Sequence, residues 1–213
     1  MSAAKAKSGE ASSPDLLVPA FEIIAETGWR GFSFTELAER ANLSMADVRK
    51  TFSGRNALLD TLNQRLDQAM LAIDGDDMED LPPRDRVFEL MMSRIEAMAP
   101  FRAGLCRLIR DARRDPELII TSACRLDRSI AWLQDAAGLA HGYRSSPLND
   151  IRRRLQRRML AAVYLQTLNV WATDESSDLA KTMAALDKQL RRIENLAGLG
   201  QRGTTEGMTD AAA

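Results

Sequence analysis

Apolar residues recur at spacings of three and four through most of this chain, and the runs are broken by proline, glycine, asparagine or short acidic stretches. No run alternates with period two, so the pattern predicts helices throughout, no strand, and an all-α fold. The first helix is LLVPAFEIIAE. It starts near Asp15, which puts Pro19 in the first turn, where a missing N–H is tolerated. After the Gly28-Trp29-Arg30-Gly31 turn, Ser33 and Glu36 form a capping box that starts a helix at Phe34, with Leu37, Ala38 and Ala41 on one face. Asn42 stops that helix, since asparagine tolerates the left-handed conformation a stop requires. Leu43 plugs the turn. Ser44 with Asp47 starts another helix, with Val48 and Phe52 on its buried side. Ser53 is then expected to cap a longer helix through Leu58, Leu59, Leu62 and Leu66 to about Ile73.

Beyond an acidic break at Asp74-Gly75-Asp76-Asp77, further helices are predicted at Arg84 to Ala99, Phe101 to Arg113, Asp115-Pro116 to Ala137, about 148–172 and about 175–196. A loop is expected around His141-Gly142-Tyr143 and Ser145-Ser146-Pro147. The chain contains no internal repeat. Residues 1–13 and 198–213 are rich in small and polar residues and read as disordered tails.

The stretch Phe32 to Leu59 carries the one local pattern that implies a function. A small residue, Ala38, sits where two helices must cross closely. A turn residue follows four positions later and a branched apolar residue, Val48, six after that. This is the layout of a helix-turn-helix, whose second helix reads DNA. An ordinary helical hairpin with good caps is the alternative.

Charge complicates the picture. Up to residue 60 the basic residues are Lys5, Lys7, Arg30, Arg40, Arg49, Lys50 and Arg55, against Glu10, Asp15, Glu22, Glu26, Glu36, Glu39, Asp47 and Asp60. Phosphate neutralisation supplies much of the affinity for DNA. Binding by this segment therefore requires Arg49, Lys50 and Arg55 to share a face, and should lean on dimerisation. The whole chain has net charge −1, so bulk electrostatics choose no partner. Cys106 and Cys124 both fall in helical apolar patterns and read as buried thiols of a reducing compartment. No run approaches the length of a membrane span and no signal peptide is visible, so a cytoplasmic location is expected.

Residues 15–59 resemble the N-terminal domain of TetR-family transcriptional regulators. The likeness rests on LLVPAFEIIAE, Gly28-Trp29-Arg30-Gly31, Phe32-Ser33, Leu37-Ala38-Glu39-Arg40-Ala41, Leu43-Ser44, and Phe52 ahead of Arg55, Ala57 and Leu58. It departs from the family in four places. Asn42 replaces the usual turn glycine, Met45 a frequent lysine, and Arg49 a common aromatic; Asp47 adds a negative charge near the groove. The resemblance implies a dimeric DNA-binding regulator, a repressor by default. It would have a three-helix helix-turn-helix head (14–60) and a helical-bundle body (61–197) for ligand binding and dimerisation. The partners so implied are a double-stranded DNA operator, a small apolar ligand or lipid, and a second copy of the chain. Thr35, Ser44, Met45, Asp47, Arg49, Lys50 and Arg55 are the expected DNA-facing residues.

The body shows no catalytic constellation, so no enzyme activity, metal or cofactor is expected. His141 reads as a surface residue, and it has no metal-ligand spacing to Cys106 or Cys124. Met91, Met98, Phe101, Leu105, Ile130 and Leu133, with Trp132, come from consecutive helices. They fit a closed core by composition and a ligand cavity by resemblance. The run Arg152, Arg153, Arg154, Arg157 and Arg158 reads as a solvated face paired with acids such as Asp187 or Glu194. Alternatively it is a cross-subunit salt-bridge set or an anionic-ligand site. Leu155, Met159, Val163, Leu168 and Trp171, with Leu179, Met183, Leu186 and Leu190, exceed what one small body needs and are expected to form a four-helix dimer interface. The stretch AAVYLQTLNVWATDESSDLAKTMAALDKQLRRIE also resembles ubiquinone-biosynthesis accessory proteins that bind lipids on a TetR-like fold. A lipid-binding role is thus an alternative, and a plain helical interaction module a further one.

Overall fold

Helix punctuation sets the element order. A computed structural model describes residues 15–73, 78–139 and 147–197. The helices are α1 (Leu17–Gly31), α2 (Phe34–Arg40), α3 (Met45–Thr51), α4 (Arg55–Leu71), α5 (Pro83–Glu96), a 3-10 turn (Ala99–Phe101), α6 (Arg102–Ala112), α7 (Pro116–Ala136), α8 (Pro147–Trp171) and α9 (Ala180–Ala197). No strand occurs among the described residues. The tails, the acidic break at 74–77 and the loop containing His141 lie outside the described residues.

Pro19 falls in the first turn of α1, and Asp15 Oδ1 accepts the Leu17 N–H at 3.2 Å. Ser33 Oγ accepts the Thr35 N–H at 3.1 Å, and Ser44 Oγ accepts the Asp47 N–H at 3.1 Å. At α7, Asp115 Oδ1 accepts the Leu118 N–H at 3.1 Å, with Pro116 as the first helical residue. Each side chain satisfies a donor that the first turn would leave open. Ser53 does not cap α4. The N-cap is Gly54, in an extended conformation and with no side-chain bond.

Two boundaries differ from expectation for local reasons. The helix before Pro100 ends at Glu96, and Ala99–Phe101 tighten into a 3-10 turn. The last helix begins at Ala180 rather than 175, because Asp174 turns the chain first. Its carboxylate accepts from the Ser176 N–H at 3.1 Å and hydroxyl, and from the Thr182 N–H and hydroxyl at 2.9 and 2.7 Å. Leu179 takes φ 54° just before the helix.

The buried apolar side chains form one continuous cluster from Leu16 to Leu190, running through α1–α4 and on through α5–α9. α1 and α6 approach each other closely. A Cβ on Gly104 would lie 2.3 Å from the Phe21 carbonyl oxygen, so only glycine lets the backbones meet there. Phe21 and Phe101 pack edge to face with centroids 5.5 Å apart.

Several expectations about the body are corrected. Val163, Trp171, Leu186 and Leu190 lie inside the protomer's own core, because α8 and α9 pack on each other through them. They are not free to meet a second copy. Leu155 is exposed, and Met159, Leu168, Leu179 and Met183 are half-buried. The exposed stripe of α8 also carries Leu148, Ile151 and Leu165. Trp132 is exposed and lines no interior site. Cys124 is exposed and Cys106 half-buried. Asp187 pairs with Arg84 and Arg191 instead of the α8 arginines, because α9 packs against α5. On α8, Arg153 pairs with Asp135 at 2.5 Å and Arg157 with Asp127 at 3.2 Å, both on α7.

Candidate nucleic-acid interface

The turn between α2 and α3 is built around Asn42, which takes φ 52°. Its N–H donates to the Glu39 carbonyl at 3.1 Å, and the Leu43 N–H donates to the Ala38 carbonyl at 2.9 Å. Ala38 and Val48 point inward, at 4% and 1% exposure. Four aromatic rings fix the two helices to α1. Trp29 stacks on Phe32, Phe32 meets Phe34 edge to face at 5.2 Å, and Phe34 stacks on Phe52 at 6.2 Å. Of this column, sequence patterning gives a buried role to Phe52 alone; aromatic density from Trp29 to Phe52 is the further signal.

The outer surface of α3 carries Met45, Ala46, Arg49 and Lys50, all exposed, with Asp47 half-buried. Asp47 serves α3 itself. Its carboxylate accepts from Lys50 Nζ at 2.8 Å and from the Ser44 hydroxyl at 2.6 Å. The Lys50 bond first, and Ser44 second, hold its carboxyl below the usual range. Lys50 is pushed up by the same contact. The negative charge that looked obstructive in sequence is therefore neutralised within the helix. Thr35 and Ser44 are exposed at the starts of α2 and α3.

Arg55 is exposed, but its guanidinium folds back onto the chain. It donates to the Phe32 carbonyl at 2.5 Å and the Trp29 carbonyl at 3.3 Å, with its guanidinium 6.0 Å from the Trp29 ring centre. It ties the start of α4 to the α1–α2 corner, where sequence reading placed it against DNA. Arg40 is held by Glu26 at 2.7 Å and Glu36 at 3.2 Å. Arg49 has no ion-pair partner among the described residues.

In the body, Met91, Met98, Phe101, Leu105, Ile130 and Leu133 all belong to the buried cluster, each at 7% exposure or less. A polar network that sequence reading missed runs among them. Arg94 donates to Asp67, to Asn63 Oδ1 at 2.8 Å and to the Tyr164 hydroxyl at 3.1 Å. Ser129 donates to Asp67 Oδ2 at 3.0 Å. The Tyr164 hydroxyl reaches Met98 Sδ at 3.5 Å, and burial pushes its pKa up. The available signal was Arg94 itself, a charge at helical spacing between Met91, Ile95 and Met98 on an apolar face. An open groove of about 430 Å³ lies elsewhere, between the start of α1, the end of α3 and α4, with Leu16, Phe52, Gln64, Arg65 and Gln68 in its wall. Among the described residues no group of His, Cys, Asp and Glu is placed to hold a metal, and no helix is long and apolar enough to cross a membrane.

With this geometry in hand, the chain can be set beside known proteins. The COQ9 family model matches residues 130–197. The crystal structure of a TetR transcriptional regulator from Nitrosomonas europaea is 25% identical and superposes with a TM-score of 0.66, covering 84% of this chain and 95% of that one. The chain is a TetR-like protein with a COQ9-like C-terminal segment. A transcriptional regulator from Rhodococcus sp. Rha1 is 23% identical over 86% of this chain and 97% of its own, with a TM-score of 0.53. The TetR family regulator PfmR from Thermus thermophilus is 16% identical, with a TM-score of 0.50 over 84% and 98%. These two share the fold. No curated protein matches the chain in sequence. The COQ9-like segment takes in the last third of α7, with α8 and α9.

Proposed function

We propose that the protein is a DNA-binding transcriptional regulator, a repressor by likeness, that acts as a dimer and is modulated by an apolar ligand. The observation that carries this reading is the helix-turn-helix itself. The second helix is capped by Ser44, seated by Val48, and presents Met45, Ala46, Arg49 and Lys50 to solvent. The regulator from Nitrosomonas europaea, similar over nearly its whole length, supports it. Dimerisation would use the exposed stripe of α8, with Ile151, Leu155 and Leu165, beside half-buried Met159 and Leu168. Two heads would then engage major grooves about one DNA turn apart, roughly 34–36 Å. A ligand seated near Met91, Met98, Phe101, Leu105, Ile130 and Leu133 would act by favouring one position of α4 over another. Division into a head (14–60) and a body (61–197) belongs to the same reading.

The test is selection of duplexes from a random library with the purified full-length protein, followed by titration. Enrichment of a palindromic site, weakened at least tenfold by Arg49→Ala, is expected. Failure to enrich any sequence would remove the proposal.

The COQ9 match favours a second reading, a lipid-binding accessory role in ubiquinone biosynthesis, and the paired state of Arg40, Lys50 and Arg55 is consistent with it. Co-purifying isoprenoid lipid in an organic extract, together with no DNA enrichment, would decide for it.

A further inference from the structure

We infer that the edge of α3 formed by Met45, Ala46 and Arg49 selects an operator half-site in which the C5-methyl group of a thymine lies within about two base pairs of a guanine. The inference rests on the DNA-binding reading above and gives it a sequence preference.

Met45 is the starting point. Leu37, Val48 and Phe52, apolar side chains of the same motif, are 2% exposed or less, whereas Met45 is 49% exposed at the first residue of α3. Its neighbour Ala46 is also exposed and offers only a methyl group. One turn further, on the same side as Met45, is Arg49, which has no ion-pair partner among the described residues. On the other side, Asp47 and Lys50 are committed to each other, and Asp47 to Ser44 as well. The reading edge is thus two apolar groups followed by one free guanidinium.

Major-groove chemistry narrows what such an edge can read. Every base edge there is a set of donors and acceptors except that of thymine, which adds a methyl group. An apolar side chain pressed on any other edge would strand a polar group without a partner. The guanidinium fork matches the two acceptors of guanine, O6 and N7. Asp47, the carboxylate that could accept from cytosine, is held by Lys50 and Ser44 within α3. Four helical residues advance about 6 Å, against about 3.4 Å per base pair, which fixes the spacing between the two contacts.

The experiment starts from the enriched site. Each thymine is replaced in turn by deoxyuridine and each guanine by 7-deazaguanine, and affinities are titrated with the wild-type protein, Met45→Gln and Arg49→Ala. At one thymine per half-site, loss of the methyl should weaken the wild type about fourfold. That ratio should fall towards one in Met45→Gln, which keeps side-chain length. At a guanine within two base pairs, loss of N7 should weaken the wild type roughly tenfold, and Arg49→Ala should be insensitive to it. A specific site whose every thymine tolerates uracil overturns this inference and leaves the DNA-binding reading standing. A library that yields no specific site overturns both.

Discussion

Asp111 Oδ2 accepts the backbone N–H of Trp29 at 2.8 Å, across 82 residues of sequence. Gly28, immediately before, has φ 78°, which takes the Trp29 N–H out of the α1 ladder. The last turn of α1 is therefore completed by α6. Removing the acceptor leaves that N–H without its partner. Asp111→Ala should lower stability by about 1–2 kcal/mol, and Asp111→Asn, which keeps an oxygen there, by less. Gly28→Ala should cost more than either, since its Cβ would meet the Asp111 carboxylate at 2.7 Å in a conformation that disfavours side chains. Urea midpoints of the three variants give the ranking.

The α1–α6 crossing makes a second prediction. Gly104→Ala should destabilise by about 1–3 kcal/mol or more through overpacking. The tightest obstacle is the Phe21 carbonyl oxygen at 2.3 Å, ahead of its ring Cδ1 at 2.9 Å, so adding Phe21→Ala should give no net rescue. Thermal melts of the single and double variants check this. A double variant more stable than Gly104→Ala would show that the ring was the dominant obstruction.

Arg94 is 4% exposed and bonded on three sides. Arg94→Met should destabilise by about 3–5 kcal/mol, because Asp67 is left without its counter-charge. Arg94→Met with Asp67→Leu should recover much of that loss, as paired replacement of buried ions by apolar groups often does. A chemical-denaturation cycle over the two positions measures the coupling.

Asp174 predicts an acid-range signature. Hydrogen bonds from Ser176 first and Thr182 next hold its carboxyl far below the usual carboxylate range. A depressed folded pKa contributes stability that is complete above the unfolded pKa, about 3.9, and fades as pH falls below it. The difference in melting temperature between wild type and Asp174→Asn should be constant from pH 5 to 7 and shrink below about pH 4. A difference that is flat down to pH 2 would contradict the assigned bonds.

The proposed dimer can be tested on its own. Ile151→Glu with Leu165→Glu alters two exposed positions and leaves the core intact. Light scattering should show a monomer whose circular dichroism is unchanged, and DNA affinity should fall because one head supplies too few contacts.

The helices, and the helix-turn-helix above all, were legible because their signals are local. Ser33, Asn42, Ser44 and Asp115 act within a few residues of themselves. What could not be read is what depends on distant partners. Nothing near Ser53 says that Gly54 will take the cap, and nothing near Arg55 says that its guanidinium will turn back to Phe32. Val163, Trp171, Leu186 and Leu190 have the periodicity of an interface. That pattern cannot tell a partner chain from the neighbouring helix, and here the neighbouring helix took them. Asp47 shows the same limit: its charge is plain in the sequence, but its bond to Lys50 is not.

The pairing of head cations has a kinetic consequence. With Arg40 and Lys50 bonded to carboxylates, the positive field at the reading surface comes down to Arg49 and Arg55. A regulator built this way gains little from long-range attraction to phosphates and has weak affinity for arbitrary sequence. It would spend little time sliding on the chromosome and would find its operator mainly by collisions from solution. Most unbound copies would remain free in the cell, so occupancy would follow copy number closely.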